Sequence, residues 1–200
     1  MDLVLSFNNS ANLLTDAKQI IDKTKELAFR SVNVAMLQRN WYLGKRISEE
    51  ILQGEDRAEY GSQVILQLSK ELTEIYGKGF TKSYLYNFVR FYKTFPNIFQ
   101  SPIGQSKLLS WTHYNLLLDV SNDEARAWYA DEAYREGWSV RTMQRNISSQ
   151  YYHRMLLSQH KEGVREEMKQ LTAPMQADKL EFIKNPVVAE FLGLVPNSDL

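Results

Sequence analysis

Residues Gly77–Tyr92 read GKGFTKSYLYNFVRFY, and this stretch decides the fold. It follows an apolar-periodic run from Tyr60 to Tyr76 that reads as a helix. Gly77 and Gly79 break that run, glycine being the residue that most readily fills a left-handed C-cap or a tight turn. Thr81 then offers an N-cap hydroxyl to a second helix. In that helix Leu85, Phe88, Val89 and Tyr92 recur three and four apart and share a face. Lys82, Ser83, Tyr86, Asn87 and Arg90 fall largely on the other. From Lys78 to Lys93 there are four basic residues and no acidic one. Helix, glycine turn, then a helix with a basic, amide-bearing outer face is the layout of a helix-turn-helix. A helical hairpin that merely keeps its lysines in water carries the same pattern, so both readings stand at this point.

Composition narrows the field. Two hundred residues suit one or two domains and bury a sizeable core. Lysine plus arginine equals aspartate plus glutamate at 24 each, so any nucleic-acid site must be a local basic patch rather than a whole-molecule charge. Four Trp and eleven Tyr argue for a folded chain. The absence of cysteine excludes disulfides and thiolate metal sites and suits a cytoplasmic protein. No apolar run reaches bilayer length, and MDLVLSFNNS lacks the basic start and apolar core of a signal peptide. No membrane partner is expected.

Helical periodicity runs through the chain, and the expected fold is all-α. Residues 12–53 form one long helix, or two joined by a kink near Ser31–Asn33. Leu13, Ala17, Ile20, Ile21, Ala28, Val32 and Ala35 trace one stripe; Leu37, Trp41, Gly44, Ile47 and Ile51 continue it. Such a stripe has to be covered, by the rest of the domain or by another chain. The expectation is a homodimer through the Leu13–Ile51 region. Gln53–Asp56 reads as a turn, and Arg57–Tyr76 as the next helix with Val64, Ile65, Leu68, Leu72 and Ile75 inside. Pro96, Pro102 and Gly104 mark a loop and the main internal boundary. Three parts follow from this: a helical group over 12–96, a second over 110–160, and a mixed helical tail over 161–200.

The second group repeats the first motif. Ser110 caps a short helix, and Asn122 or Asp123 caps the next. Gly137 stops that helix. Ser139 caps a third, with Val140, Met143, Ile147 and Tyr151 inside and Arg141 and Arg145 outside. No acidic residue occurs between Gly137 and Lys161. In the tail, Asp178–Lys184 and Pro186–Leu192 read as short helical pieces.

Catalytic patterns are missing. His113, His153 and His160 do not form an HExxH spacing, and GKGFTKS lacks the order of a P-loop. His113 suits a packing or capping role. Glu49–Glu50 and Glu166–Glu167 sit on lysine-rich helix surfaces, where a solvated face explains them. A metal nuclease gathers carboxylates and a lysine on strand ends, and this chain offers no strands for it. No catalytic residue, metal site or cofactor is expected within these residues.

Four segments together resemble the N-terminal region of YhcG-like bacterial proteins. They are GEDRAEYGSQVILQLSKELTEIYGKGFTKSYLYNFVRFYKTFP, LLSWTHYNLLLDV, DEARAWYADEAYREGWSVRTMQRNISSQYYHRML and FIKNPVVAEFLGL, in that order over most of residues 12–195. The resemblance implies a helix-turn-helix-like region that precedes a nuclease domain of the PD-(D/E)XK superfamily. It implies further that the catalytic half and its divalent metal lie outside this sequence. LSWTHYNLLL followed by EGWSVRTMQRNI is also similar to the helix-turn-helix core of ParB-like partition proteins. In that comparison Ser139, Val140 and Arg141 open the helix that lies near DNA. The leading expectation is therefore a DNA-binding region, with RNA left open. Lys78, Lys82, Arg90, Arg141 and Arg145 would meet phosphates, and Ser83, Asn87 and Tyr86 would reach base edges. The alternative is a protein-interaction or dimerisation module. Salt dependence separates the two, because phosphate contacts weaken steeply as salt rises.

Overall fold

A computed structural model describes residues 6–52, 57–100 and 108–175. The turn expected at Gln53–Asp56 and the helical pieces expected beyond residue 175 lie outside the described residues. Among those described, eight α-helices and two short 3-10 turns account for the regular structure, with no strand. The all-α expectation holds. The helices are α1 (Leu13–Leu52), α2 (Arg57–Tyr76), α3 (Lys82–Thr94), α4 (Trp111–Leu118), α5 (Asp123–Arg135), α6 (Val140–Ser148), α7 (Tyr151–Leu157) and α8 (Lys161–Thr172).

α1 is one continuous helix of 40 residues, unbroken through Ser31–Asn33. Its C-terminal half crosses α3. Leu37, Trp41 and Ile47 from α1 meet Leu85, Phe88 and Val89 from α3 in the core. Gly44 sits at the crossing. A Cβ built there would lie 2.0 Å from the Phe88 carbonyl oxygen, so the two backbones are too close for any side chain. Trp41 fixes the register by donating its indole N–H to the Phe95 carbonyl at 3.0 Å, just past the end of α3. The N-terminal half of α1 behaves differently. From Leu13 to Ala35 only Asp16 is buried. The stripe read there is therefore at most half-buried, with Leu13, Ile21, Ala28 and Ala35 exposed.

α2 ends at Gly77, whose φ of 91° is the left-handed conformation that glycine tolerates. The turn that follows buries Phe80 and delivers α3. Thr81 occupies the N-cap position of α3 as expected, but its hydroxyl makes no cap hydrogen bond. The phase of α3 is the one its spacing predicts, with Leu85, Phe88, Val89 and Phe91 buried.

The two helical groups share one contiguous core. An aromatic seam crosses the boundary drawn at residues 96–109: Phe88 and Phe91 pack on Trp111, and Phe91 and Phe95 on Tyr114, with ring centroids 5.0–5.4 Å apart. Asn33 of α1 adds a polar tie, its amide donating to the Leu109 carbonyl at 2.9 Å. α8 closes the assembly through Met168, which is 2% exposed.

One expected helix is two. The run from Ser139 through Tyr151 breaks after Ser148, and Gln150 takes a left-handed φ of 54° before α7 begins. Tyr129 of α5 bonds both sides of the break, and the Ser149 hydroxyl also donates to the Asn146 carbonyl at 3.2 Å. The Tyr129 hydroxyl donates to the Asn146 carbonyl at 3.3 Å and accepts from the Tyr152 N–H at 3.0 Å. A single buried hydroxyl thus satisfies two backbone groups that a continuous helix would have paired internally.

Candidate nucleic-acid interface

The α5–α6 unit is built at its turn. α5 closes with a Schellman arrangement: Gly137 at φ 62°, and the Trp138 N–H donating to the Ala133 carbonyl at 3.0 Å. α6 opens on Ser139, whose hydroxyl accepts from the Thr142 N–H at 3.0 Å and donates to the Met175 carbonyl at 2.6 Å. That bond ties the segment after α8 to the start of α6.

His113 of α4 braces the same turn. Its Nε2 lies 3.0 Å from the Trp138 carbonyl, which can only accept, so Nε2 carries a proton. Nδ1 lies 2.6 Å from the Ser110 hydroxyl. Burial depresses the imidazole pKa below its usual value, against an opposing push from the Trp138 and Ser139 backbone. The ring is therefore neutral near pH 7, and Nδ1 accepts from Ser110. The capping and packing role expected of His113 is the one it holds, with a link to the α6 entrance added.

The outer face of α6 carries Arg141, Gln144, Arg145 and Ser148, at helical spacings of three and four. Arg141, Gln144 and Ser148 are exposed and Arg145 is half-buried. Arg145 keeps its Nε buried without a hydrogen-bond partner. Ser139 and Val140, which the ParB-like comparison would place near DNA, are less available: Ser139 is buried as the cap and Val140 half-buried.

α3 presents the other basic face. Lys78, Lys82, Ser83, Tyr86 and Lys93 are exposed, and Asn87 is half-buried. The Lys82 ammonium lies 5.8 Å from the Tyr86 ring centroid, close enough for a cation–π contact. Arg90 has a different setting. Its Nη2 donates to the Leu118 carbonyl at 2.6 Å and to Asp119 Oδ1 at 3.0 Å. Its Nη1 reaches Asn87 Oδ1 at 3.3 Å. Arg126 of α5 serves the same helix end, donating to the carbonyls of Leu117 and Val120. Two guanidiniums thus satisfy the orphan carbonyls and the negative end of α4. Arg90 anchors α3 to α4 as well as carrying charge.

Three side chains join these faces that the sequence reading did not single out: Lys93, Gln144 and Ser148. The signal for them was present. Gln144 and Ser148 stand three and seven residues after Arg141, and Lys93 seven after Tyr86, so a helical projection places them on the outer faces. Among the described residues, no three His, Cys, Asp or Glu side chains gather as a metal site. No helix among them is long and apolar enough to cross a membrane.

Residues 16–154 match the DUF1016 N-terminal domain family. The chain belongs to that family. A relative in Escherichia coli (strain K12), described as "Putative nuclease YhcG", is 34% identical over 205 residues, covering 88% of this chain and 54% of the relative. The chain thus spans about half the length of the curated relative it matches, and the YhcG-like resemblance read from its motifs holds. No solved structure matches. The DUF1016 N-terminal match contains all of α2 to α6, and so both basic faces and the braced turn between α5 and α6.

Proposed function

We propose that this DUF1016 N-terminal domain binds DNA and positions the nuclease domain of a YhcG-like protein. In this reading α6 enters a groove by its Arg141, Gln144, Arg145 and Ser148 face. Lys78 and Lys82 meet phosphates on a second stretch of backbone, with Ser83, Tyr86 and Asn87 beside them. Arg90 holds α3 in place on α4. A divalent metal belongs to the nuclease domain of the intact protein, and the cytoplasm is where such a protein meets DNA.

The observation that carries the reading is the α6 face together with its bracing. A groove reader needs a rigid helix whose outward side chains are donors. α6 has its N-terminus tied by Ser139, Met175 and His113, and no acidic residue occurs from Gly137 to His160. Phosphate contacts also tolerate the zero net charge of the chain, since they require only a local patch.

Fluorescence anisotropy with labelled duplex and single strands at two salt concentrations tests it. Binding should weaken as salt rises, and duplex should be preferred. Arg141→Glu with Arg145→Glu should flatten the log-affinity against log-salt slope by about two units. Unchanged affinity in this folded double variant, and in a folded Lys78→Glu with Lys82→Glu variant, would remove the proposal and leave an interaction module.

A further inference from the structure

We infer that the α2–α3 turn takes unpaired nucleotides, with bases stacked on Tyr76 and Tyr86 and phosphates held at Lys78 and Lys82. The inference rests on the nucleic-acid reading above and names the substrate class of its α3 face: duplex DNA with an adjoining single-stranded segment.

Two aromatic rings stand out at this turn, and each has a fixed neighbour. Tyr76, the last residue of α2, is 61% exposed. Its ring leans on buried Phe80, with centroids 5.8 Å apart. Phe80 in turn carries the Arg39 guanidinium 5.1 Å from its own centroid. Gly77 fixes the chain just after Tyr76, its N–H donating to the Thr73 carbonyl at 3.0 Å. Tyr86 is 39% exposed and stands one helical turn beyond Lys82, whose ammonium lies 5.8 Å from the Tyr86 ring centroid. Rings already positioned in the free protein lose little freedom when something stacks on them.

The surrounding charge says what stacks. Along the chain the two rings flank two cations, in the order Tyr76, Lys78, Lys82, Tyr86, and both lysines are exposed. No acidic residue occurs from Ile75 to Leu118. Glu74 precedes Tyr76 by two residues, which on a helix turns it about 200° away. The exposed Tyr60 and Tyr134 differ. The Tyr60 hydroxyl donates to Glu50 at 3.2 Å, and Asp131 stands three residues before Tyr134 on α5, on the same helix face.

Rings set among cations suit a polyanion that offers flat apolar faces. A single-stranded nucleic acid is such a polymer, its backbone tracked by cations and its bases stacked on aromatic side chains. A closed duplex is not, because its base faces are stacked inside and its grooves present only edges. Paired DNA therefore uses the lysines of this turn, and unpaired DNA uses the rings as well.

Fluorescence anisotropy with the full chain compares a labelled blunt duplex with the same duplex carrying a single-stranded tail of about eight nucleotides. The tail should tighten binding roughly fivefold or more. Tyr76→Ala and Tyr86→Ala should each weaken binding of the tailed duplex by roughly 5- to 100-fold and leave the blunt duplex unchanged. No phosphate contact is lost in either variant, so the salt slope for the tailed duplex should stay that of the parent. Tyr76→Phe and Tyr86→Phe keep the ring and should keep the affinity. Both positions are exposed, so helix content by circular dichroism should not change in any of the four. A tail that adds nothing to the parent's affinity would overturn the inference and leave the duplex reading standing. So would alanine variants that bind the tailed duplex as tightly as the parent, the tyrosines then belonging to a protein-facing surface. A free strand that binds through the two tyrosines, with no binding of blunt duplex, would uphold the inference and remove the duplex reading. Binding of neither would remove both.

Discussion

Replacing Gly44 by alanine tests whether the α1–α3 crossing sets the fold. The new methyl would sit 2.0 Å from the Phe88 carbonyl oxygen and 2.5 Å from its carbon, where ordinary contact begins near 3.4 Å. A backbone carbonyl inside a helix cannot rotate aside, so the two helices must part by about an ångström. A gap of that size forfeits a quarter to a half of each dispersion well it opens, and the side chains affected include Leu37, Trp41, Leu85 and Phe88. Overpacking of this kind costs about 1–3 kcal/mol, and the upper end applies where nothing can yield. Alanine's better helix propensity returns about 1 kcal/mol. The net loss is then about 2 kcal/mol, or a fall of roughly 4–8 °C in Tm for a chain of this size. Gly163 is the internal control. It lies in α8 with nothing closer to a built Cβ than the His160 ring at 3.4 Å. Gly163→Ala should raise Tm by roughly 2–4 °C, the propensity gain alone. Thermal melts followed by circular dichroism at equal protein concentration make the comparison. A Gly44→Ala chain that melts at or above the parent would refute the close-approach argument.

Tyr129→Phe should cost about 1–3 kcal/mol in urea denaturation, because the Tyr152 N–H is left unsatisfied in the core, while the Asn146 carbonyl keeps the Ser149 hydroxyl as donor. His113 has its folded pKa depressed below the usual 6.5, so the unfolded chain binds its proton more readily. Stability should therefore hold above about pH 6.5 and fall as the pH drops below it, and His113→Gln should flatten that part of a urea-midpoint profile against pH. Arg90→Ala should lower Tm while flattening the nucleic-acid salt slope by less than Lys82→Ala does, since Arg90 holds the α4 carboxyl end. Equal effects of the two changes on the slope would make Arg90 an ordinary phosphate contact.

The fold was legible where periodicity and punctuation agreed. Leu85, Phe88 and Val89 repeat at helical spacing between glycines, and Ser110, Asn122 and Ser139 are short polar residues standing before apolar runs. All three cap as their positions suggest. The break after Ser148 and the role of Gly44 were hidden because both depend on tertiary contact. At the break between Ser148 and Tyr151 the Ser149 hydroxyl takes the Asn146 carbonyl locally, and a tyrosine some twenty residues earlier bonds both sides. Thr81 has the right chemistry for a cap, but its hydroxyl accepts no bond there. Gly44 read as one more member of the α1 stripe, whereas its missing side chain is what lets α3 approach.

The candidate site was legible in composition but not in role. Lys82 and Arg90 look alike in sequence, two turns apart on one basic helix. In space Lys82 lies over an exposed tyrosine and Arg90 reaches across to a helix end. A carbonyl end needs a fork of donors, and arginine has the geometry for it where lysine is a point charge. Under the proposed function, that distinction favours α6 over α3 as the helix that would read bases. On α6 the amide of Gln144 stands between Arg141 and Arg145, and the turn that aims them is fixed from α4, α5 and the end of α8. On α3 part of the charge is used to hold the two helical groups together. Under the proposed function, α3 would register the domain on the phosphate backbone and α6 would discriminate among base pairs.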